Sequence, residues 1–330
     1  MHNGKSVEMT LEEYQQTQSQ KLMEIFDFAT NLPVSLYAGS TVLRLPEMVY
    51  RGNRLLDSRY LFEDYLINSK KGSMDLTVSR GVSAYAGYGV RASLQQRMLQ
   101  EEEYQEKGQA IKLPPYKNIK MSLSVAIRSR RSIRTMSSKV SDIVDLSTIL
   151  FHGAGVTGDY RLLSEERGET DVKCLDMSEY SMVRANPSGG GLYPIHLYVV
   201  VVNTKGLEDG LYLYLPLTHS LAKIRIFSHN DLEELYSYAE FGLDIETKNI
   251  NFMIFYSYSM FENARKYGDL ALLFAMIEAG EISENIHLAC TGMDIASCDI
   301  GGFDKAALER FMGLDGLTKH LVHLTIVGTK

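Results

Sequence analysis

Residues Asn186-Pro187-Ser188-Gly189-Gly190-Gly191-Leu192-Tyr193-Pro194 run straight into Ile195-His196-Leu197-Tyr198-Val199-Val200-Val201-Val202, and this junction constrains the chain more than any other stretch. The consecutive glycines remove every Cβ where a buried strand begins, so backbone there is able to lie against something flat or anionic. On these residues alone two readings stand, a bulge that starts a strand and a bed for a ligand. The β-branched run that follows predicts a strand deep in a core.

The apolar share, 45% of 330 residues, suffices for a full core in one large domain or two modest ones. A formal net charge of −7 argues against a general nucleic-acid binder, because only Arg128 to Arg134 is locally basic. Cys174, Cys290 and Cys298 form neither an even set nor a Cys-x-x-Cys pair. That points to a reducing compartment, the cytoplasm, and away from a structural zinc site. The first residues lack the apolar core of a secretory signal, and no window approaches the roughly 18 apolar residues of a membrane span.

Thr10 and Glu13 have capping-box spacing ahead of a helix expected to run through Phe28. A helical stretch over 61–67, a polar loop over 68–73 and a solvated Gln/Glu-rich helix over 94–109 follow. Pro114 and Pro115 mark a boundary, dividing an N-terminal extension of residues 1–112 from a domain of 113–330. Within the latter we expect a short helix over 124–128 and an amphipathic helix over 142–151, apolar at Ile143, Leu146, Ile149 and Leu150. A loop over 156–183 precedes the glycines. Asp209-Gly210 predicts a hairpin turn into the alternating strand 211–215, and a further strand covers 251–259. A long apolar helix or helix pair over 265–289, broken at Gly280, leads to a last strand over 321–328. Intermixed strands and helices give an α+β class with a central sheet wrapped by helices.

Several clusters could carry chemistry. Arg128, Arg130, Arg131 and Arg134 surround Ser132. Arginine forks grip phosphate bidentately and a hydroxyl adds a donor, so the set suits a terminal phosphate, while the plainer reading is a solvated basic loop. No Gly-x-Gly-x-x-Gly follows a strand and opens a helix, and no Gly-x-x-x-x-Gly-Lys-Ser/Thr occurs, so a phosphate-bearing cofactor would be held by another geometry. The absence of His-Glu-x-x-His and of a Gly-x-Ser-x-Gly elbow disfavours zinc hydrolysis and serine esterase chemistry. Among the histidines His152 and His196 adjoin these segments. Adjacent Lys266 and Tyr267 form a proton-transfer pair if their site is dry, or else a surface lysine beside a core tyrosine. Glu278 and Asn285 share a helical face. Gly301 and Gly302 precede a short helix whose N-terminal amides suit an anion or an oxidised ring.

Taken in order, these segments resemble the nitroreductase superfamily, and within it the SagB-type azoline dehydrogenases of thiazole/oxazole-modified peptide biosynthesis, over about residues 113–328. Ser129-Arg130-Arg131-Ser132-Ile133-Arg134 resembles the flavin phosphate and ribityl motif, which implies Arg130, Arg131, Ser132 and Arg134 as FMN ligands. The glycine stretch resembles the Pro-Ser-Gly-Gly signature beside the isoalloxazine, implying Pro187, Ser188, Gly189 and Gly190. Gly210, Tyr212 and Tyr214 are similar to the family's Gly-x-Tyr-x-Tyr strand. Ile300-Gly301-Gly302-Phe303-Asp304 resembles the loop whose backbone approaches the flavin's reactive nitrogen, and the resemblance adds Asn285 to the cofactor contacts. Lys266-Tyr267-Gly268 is similar to the family's catalytic motif, which simple nitroreductases lack. The chain departs from the pattern at Gly280-Glu281, where Gly-His is often seen, and at Glu284-Asn285, where Gln-Asn is common. Lys330 stands where nitroreductases tend to carry a basic phosphate ligand.

The resemblance implies an FMN-dependent nitroreductase-like fold, a mixed or antiparallel sheet, no metal, and a homodimer with FMN at the interface. It implies oxidation of thiazolines or oxazolines of a precursor peptide to thiazoles or oxazoles, with a cyclodehydratase complex as partner. The Cα proton would go to a base, Tyr267 favoured with Lys266 tuning it, and the Cβ hydride to the flavin. Two alternatives stay open: an NAD(P)H-dependent nitro or quinone reductase, and a flavin-bound scaffold subunit of a cyclodehydratase complex. The extension 1–112 would dock a partner or the leader peptide.

Overall fold

Val199, Val200 and Val201 are completely buried, because the strand they belong to lies inside a sheet covered on both faces. In this computed structural model the described residues are 65–66, 81–82, 88–159, 182–239, 241 and 245–330. The helix expected from Thr10 to Phe28, the loop over 68–73 and residues 160–181 lie outside them. Contacts divide the chain into units Met1–Lys70 and Lys71–Lys330. Of the first unit only Tyr65 and Leu66 are described, both helical.

The second unit opens on helix α1 (Tyr88–Glu106), strand β1 (Ala110–Lys112) and the short helix α2 (Leu123–Ser129). Helix α3 (Ile143–Ala154) starts on a capping box: Asp142 accepts from the Val144 N–H at 2.9 Å while Asp145 reaches back to the Asp142 N–H. Then come β2 (Ile195–Val201), β3 (Gly210–Leu215), β4 (Ser220–Ile226), α4 (His229–Ser237) and β5 (Phe252–Ser259). Helices α5 (Met260–Tyr267) and α6 (Leu270–Gly292), strand β6 (Ile295–Ile300), helix α7 (Lys305–Met312) and strand β7 (Lys319–Thr329) complete the fold. The sheet runs β1-β4-β3-β2-β5-β7-β6, and every pairing in it is antiparallel. Among the described residues no helix is long and apolar enough to cross a membrane.

Strand periodicity sorts the side chains into two cores. Ile195, Leu197, Val199 and Val201 of β2 point with Tyr212 and Tyr214 of β3 toward α3 and α6, meeting Leu146, Ile149, Ala279 and Ile282. Tyr198 and Val200 point the other way, with Leu211, Leu213 and Leu215, toward Leu235 of α4 and Leu308 and Phe311 of α7. This arrangement is the expected α+β fold, a sheet wrapped by helices, and its β2 reads as a continuous apolar run because neither face meets water.

Three expectations change in detail. The long helix is not broken at Gly280, which lies inside α6; the break is at Gly268, whose φ of +56° ends α5. An interior glycine costs a helix only about 1 kcal/mol, whereas left-handed backbone stops it. The reversal from β2 to β3 takes residues 202–209 with Gly206 at φ +95°, so Asp209-Gly210 enters β3 and does not form a two-residue turn. Finally, the stretch expected as loop over 156–183 contains a small antiparallel pair, Val156–Asp159 with Met182–Arg184. The sheet itself begins at Ala110, where β1 pairs with β4.

Candidate active site

Between Pro187 and Ile195 the backbone turns back on itself through residues of positive φ: Gly190 at +67°, Gly191 at +66° and Tyr193 at +49°. Glycine takes such angles freely, but a tyrosine does so only where its surroundings compel it. Here Ser188 Oγ accepts the Tyr193 N–H at 2.8 Å, the Tyr193 hydroxyl accepts the Arg184 N–H at 3.1 Å, and the Arg184 guanidinium lies 4.4 Å over the Tyr193 ring. Ser188 Oγ in turn donates to Glu278 Oε2 at 2.5 Å, and Glu278 Oε1 accepts the Ile195 N–H at 3.4 Å. A buried carboxyl of α6 thus shapes the glycine turn.

Lys266 and Tyr267 meet this turn from α5. A Cβ built on Gly190 would collide with Lys266 Nζ and lie 2.6 Å from Tyr267 Oη, so only glycine lets both groups approach the backbone there. The Lys266 ammonium is 5.3 Å from the Tyr267 ring centre, and that ring packs edge-on against Phe274 of α6 at 4.9 Å. Phe274 also lies under Gly189. Asn263, one turn before Tyr267, fixes the helix: it accepts from the Tyr258 hydroxyl at 2.9 Å and donates to the Ala271 carbonyl at 2.8 Å. Burial lowers the Lys266 pKa and raises that of Tyr267, each by disfavouring its charged form.

The arginine segment lies farther along α6. Ile133 N–H bonds to the Ser297 carbonyl of β6 at 2.9 Å, and Arg130 Nε comes within 3.9 Å of Glu284. Arg131, Ser132 and Arg134 are exposed, Arg131 bracing its guanidinium on the carbonyls of Arg128 and Arg130. Asn285 donates to the Ala185 carbonyl at 3.3 Å, tying α6 to the approach of the glycine turn. From Phe274 to Glu284 the helix rises about 15 Å, so the turn and the arginines occupy separate stations along one rod. Gly301 and Gly302 follow β6, and a Cβ on Gly301 would meet nothing within 4 Å. Pro187 is exposed beside buried Asn186. Lys330 pairs with Asp294 at 2.7 Å.

Several participants escape a motif reading: Asn263, Phe274, and Arg97 and Glu262, which meet His196 in the group described below. Nothing marks Arg97 within a Gln/Glu-rich helix, because its neighbours in space are distant in the chain. Glu278 was visible only as a face-sharing partner of Asn285. His152 Nδ1 donates to the Thr148 carbonyl, 2.8 Å away, and the ring packs edge-on with Tyr116 and Phe151.

The pattern of the nitroreductase family matches residues 127–329. A Methanocaldococcus jannaschii protein named as a nitroreductase is 31% identical over 193 residues, covering 58% of this chain and 84% of that protein. Among solved structures, one named as a nitroreductase of Ralstonia eutropha superposes with a TM-score of 0.53 at 20% identity, covering 67% of this chain and 89% of that one. Another, from Anabaena variabilis, gives 0.50 at 20% identity over 67% of this chain and 41% of its own. At that identity the two structures speak for the fold.

Proposed function

The chain belongs to the nitroreductase family, and on that premise we propose that it is an FMN-dependent dehydrogenase of the SagB type, oxidising thiazoline or oxazoline rings of a precursor peptide to thiazoles or oxazoles. The observation that carries the reading is the convergence of Lys266 Nζ and Tyr267 Oη on Gly190. Dehydrogenation of an azoline needs a group that takes a proton next to a surface that takes a hydride, and a paired amine and phenol at a bare backbone turn suit the first need.

The residues present fit a flavin mononucleotide. Asn186 Oδ1 is buried without a hydrogen-bond partner beside the glycine turn, an acceptor left for a ligand N–H. Gly301 faces open space. Exposed Arg131 and Arg134, with Arg130 and Ser132, have the chemistry of a phosphate cradle. We assign Pro187, Ser188, Gly189, Gly190, Asn285, Gly301 and Gly302 to the rest of the cofactor bed. When bound, FMN supplies a two-electron acceptor that oxygen regenerates.

The chain's own residues do the proton work. The ring Cα proton is acidified by the neighbouring carbonyl and imine, so a base active near neutral pH suffices. Burial favours neutral Lys266 and disfavours the Tyr267 phenolate, which makes the Lys266 amine the better base, with the Tyr267 hydroxyl orienting it or the substrate. The sequence reading favours the opposite roles; the directions of these two shifts are what support Lys266 as the base.

The same reading includes a homodimer. Leu272, Leu273, Met276 and Ile277 form an exposed apolar stripe on α6, next to the site, which a second copy would cover. A cyclodehydratase complex would deliver the peptide, and residues 1–112 would take part in that docking ahead of the domain 113–330.

Purified protein given FMN, oxygen and an azoline-bearing peptide should remove two hydrogens per ring by mass spectrometry, and Lys266→Ala and Tyr267→Phe should each slow this at least about tenfold. Wild-type rates in both variants would sink the catalytic assignment. Rapid reduction of the flavoprotein by NADPH with none by the peptide would favour the nitro or quinone reductase. If cyclodehydration by the complex depended on a protein that oxidises neither, the scaffold role would stand instead.

A further inference from the structure

Arg97 lies on α1, outside the residues that the family pattern matches, yet its buried guanidinium reaches the middle of the site. Nη2 donates to the carbonyls of Leu192 and Tyr193 and pairs with Glu262 Oε2. Glu262 Oε1 takes His196 Nε2 at 2.7 Å. Burial alone would raise the Glu262 pKa, but His196 and Arg97 hold it down to about 2, so the carboxylate is charged. One arginine therefore joins the exit of the glycine turn, the start of β2 through His196, and the first turn of α5. The last turn of α5 carries Lys266 and Tyr267.

Two more contacts come from the same side of the chain. At the far end of α5, a Cβ on Gly81 would sit 2.5 Å from the Lys266 carbonyl oxygen and 3.3 Å from that of Arg265. One turn on from Arg97, Glu101 accepts the N–H groups of Leu217 and Thr218 at 3.1 and 2.9 Å and the Thr218 hydroxyl at 2.8 Å. Gly81 and Arg97 thus touch α5 at opposite ends, and Glu101 pins α1 in place.

We propose that Arg97 is a positioning residue of the active site, holding the Lys266 and Tyr267 pair against Gly190, so that residues ahead of the family-matched domain belong to the catalytic unit. All three contacts fall on the one nitrogen Nη2, at the far corner of a rigid planar group; a lysine ammonium, on a stem one bond shorter and more strongly hydrated, does not bring a donor to the same place. Without Nη2 in that place, the Leu192 and Tyr193 carbonyls lose this donor and α5 loses its tie to the turn. The inference rests on the proposed roles of Lys266 and Tyr267.

The test reads the Lys266 amine without any substrate. Acetylation of Lys266 is followed across pH by peptide mass spectrometry on the full-length protein carrying FMN. In wild type the midpoint should fall below that of an ordinary lysine. In Arg97→Lys it should rise by at least about half a pH unit, as the loosened helix lets water reach the amine. Turnover of the azoline peptide should drop at least about tenfold in kcat with KM within about twofold, a loss of alignment more than of binding. An Arg97→Lys protein with wild-type midpoint and kcat overturns the proposal. Should that variant fail to fold, Glu262→Gln read in the same way decides, an unchanged midpoint and kcat again overturning it. If wild type itself never oxidises the peptide, the dehydrogenase reading falls, while the labelling midpoint still decides the role of Arg97.

Discussion

Ser188 Oγ donates to Glu278 Oε2 at 2.5 Å while accepting the Tyr193 N–H, so the state of one buried carboxyl on α6 is coupled to the glycine turn. Burial pushes the Glu278 carboxyl up to about 7, against the opposing pull of Ser188, Arg184, the Ile195 N–H and Arg97. An unfolded glutamate titrates near 4.3, so between about 4.3 and 7 the folded chain holds a proton that the unfolded chain has released. Its contribution to stability is therefore complete below about 4 and lost as pH rises through 7, a change of about 4 kcal/mol. Denaturant titrations should find wild type weakening from about pH 5 to 8 and Glu278→Gln nearly flat over that span. An equally steep slope in the variant would place the dependence on another group.

The strands and most helices were legible because their signals are local. The apolar run of 195–201, the alternation of 211–215, the helical spacing of 142–151 and the Gly-rich turn all act within a few residues, and the structure places them close to where they were read. Gly280 misled because glycine is tolerated inside a helix, while Gly268 took the positive φ that ends one. The site was legible as separate pieces in chain order. That Gly190 meets Lys266 and Tyr267, or that Arg97 meets Glu262, depends on pairings across 76 to 165 residues, which no local pattern encodes.

Arg131 and Arg134 present exposed guanidinium groups near β6, and a charge-assisted bond to phosphate contributes about 1.5 to 3 kcal/mol. Replacing both by glutamine should weaken FMN binding at least about tenfold in equilibrium dialysis, more at low salt than at high. The melting temperature of the flavin-free protein should fall only slightly, since both side chains are exposed. Unchanged FMN affinity would move the phosphate site elsewhere.

Asp299, just ahead of Gly301, collects His287 Nε2 at 3.0 Å, His323 Nε2 at 3.1 Å and the Thr325 hydroxyl at 2.6 Å, with Ser283 alongside. Partial burial would raise its pKa, but these hydrogen bonds hold it well below the usual carboxylate range. A depressed carboxylate contributes stability above the unfolded value near 3.9 and loses it as pH falls toward its folded value. Asp299→Asn should melt lower than wild type at pH 7, and the gap should narrow as the pH drops below about 4. A gap that widened in acid would reverse the assignment.

Gly190→Ala isolates the contact at the centre of the site. Its φ of +67° by itself costs an alanine about 1 to 2 kcal/mol, and the new methyl must also displace Lys266 Nζ and Tyr267 Oη. Gly313, at φ +72° after α7, pays the same backbone cost, yet a Cβ there meets nothing within 4 Å. Both alanine variants should therefore melt lower than wild type, Gly190→Ala the more so, while only Gly190→Ala shifts the Lys266 labelling midpoint and loses turnover, by at least about tenfold. Subtracting one variant from the other removes the backbone term and leaves the side-chain collision. If Gly190→Ala kept the labelling midpoint and turnover of Gly313→Ala, the lysine and tyrosine would not need the bare backbone, and the convergence on which the catalytic reading rests would be incidental.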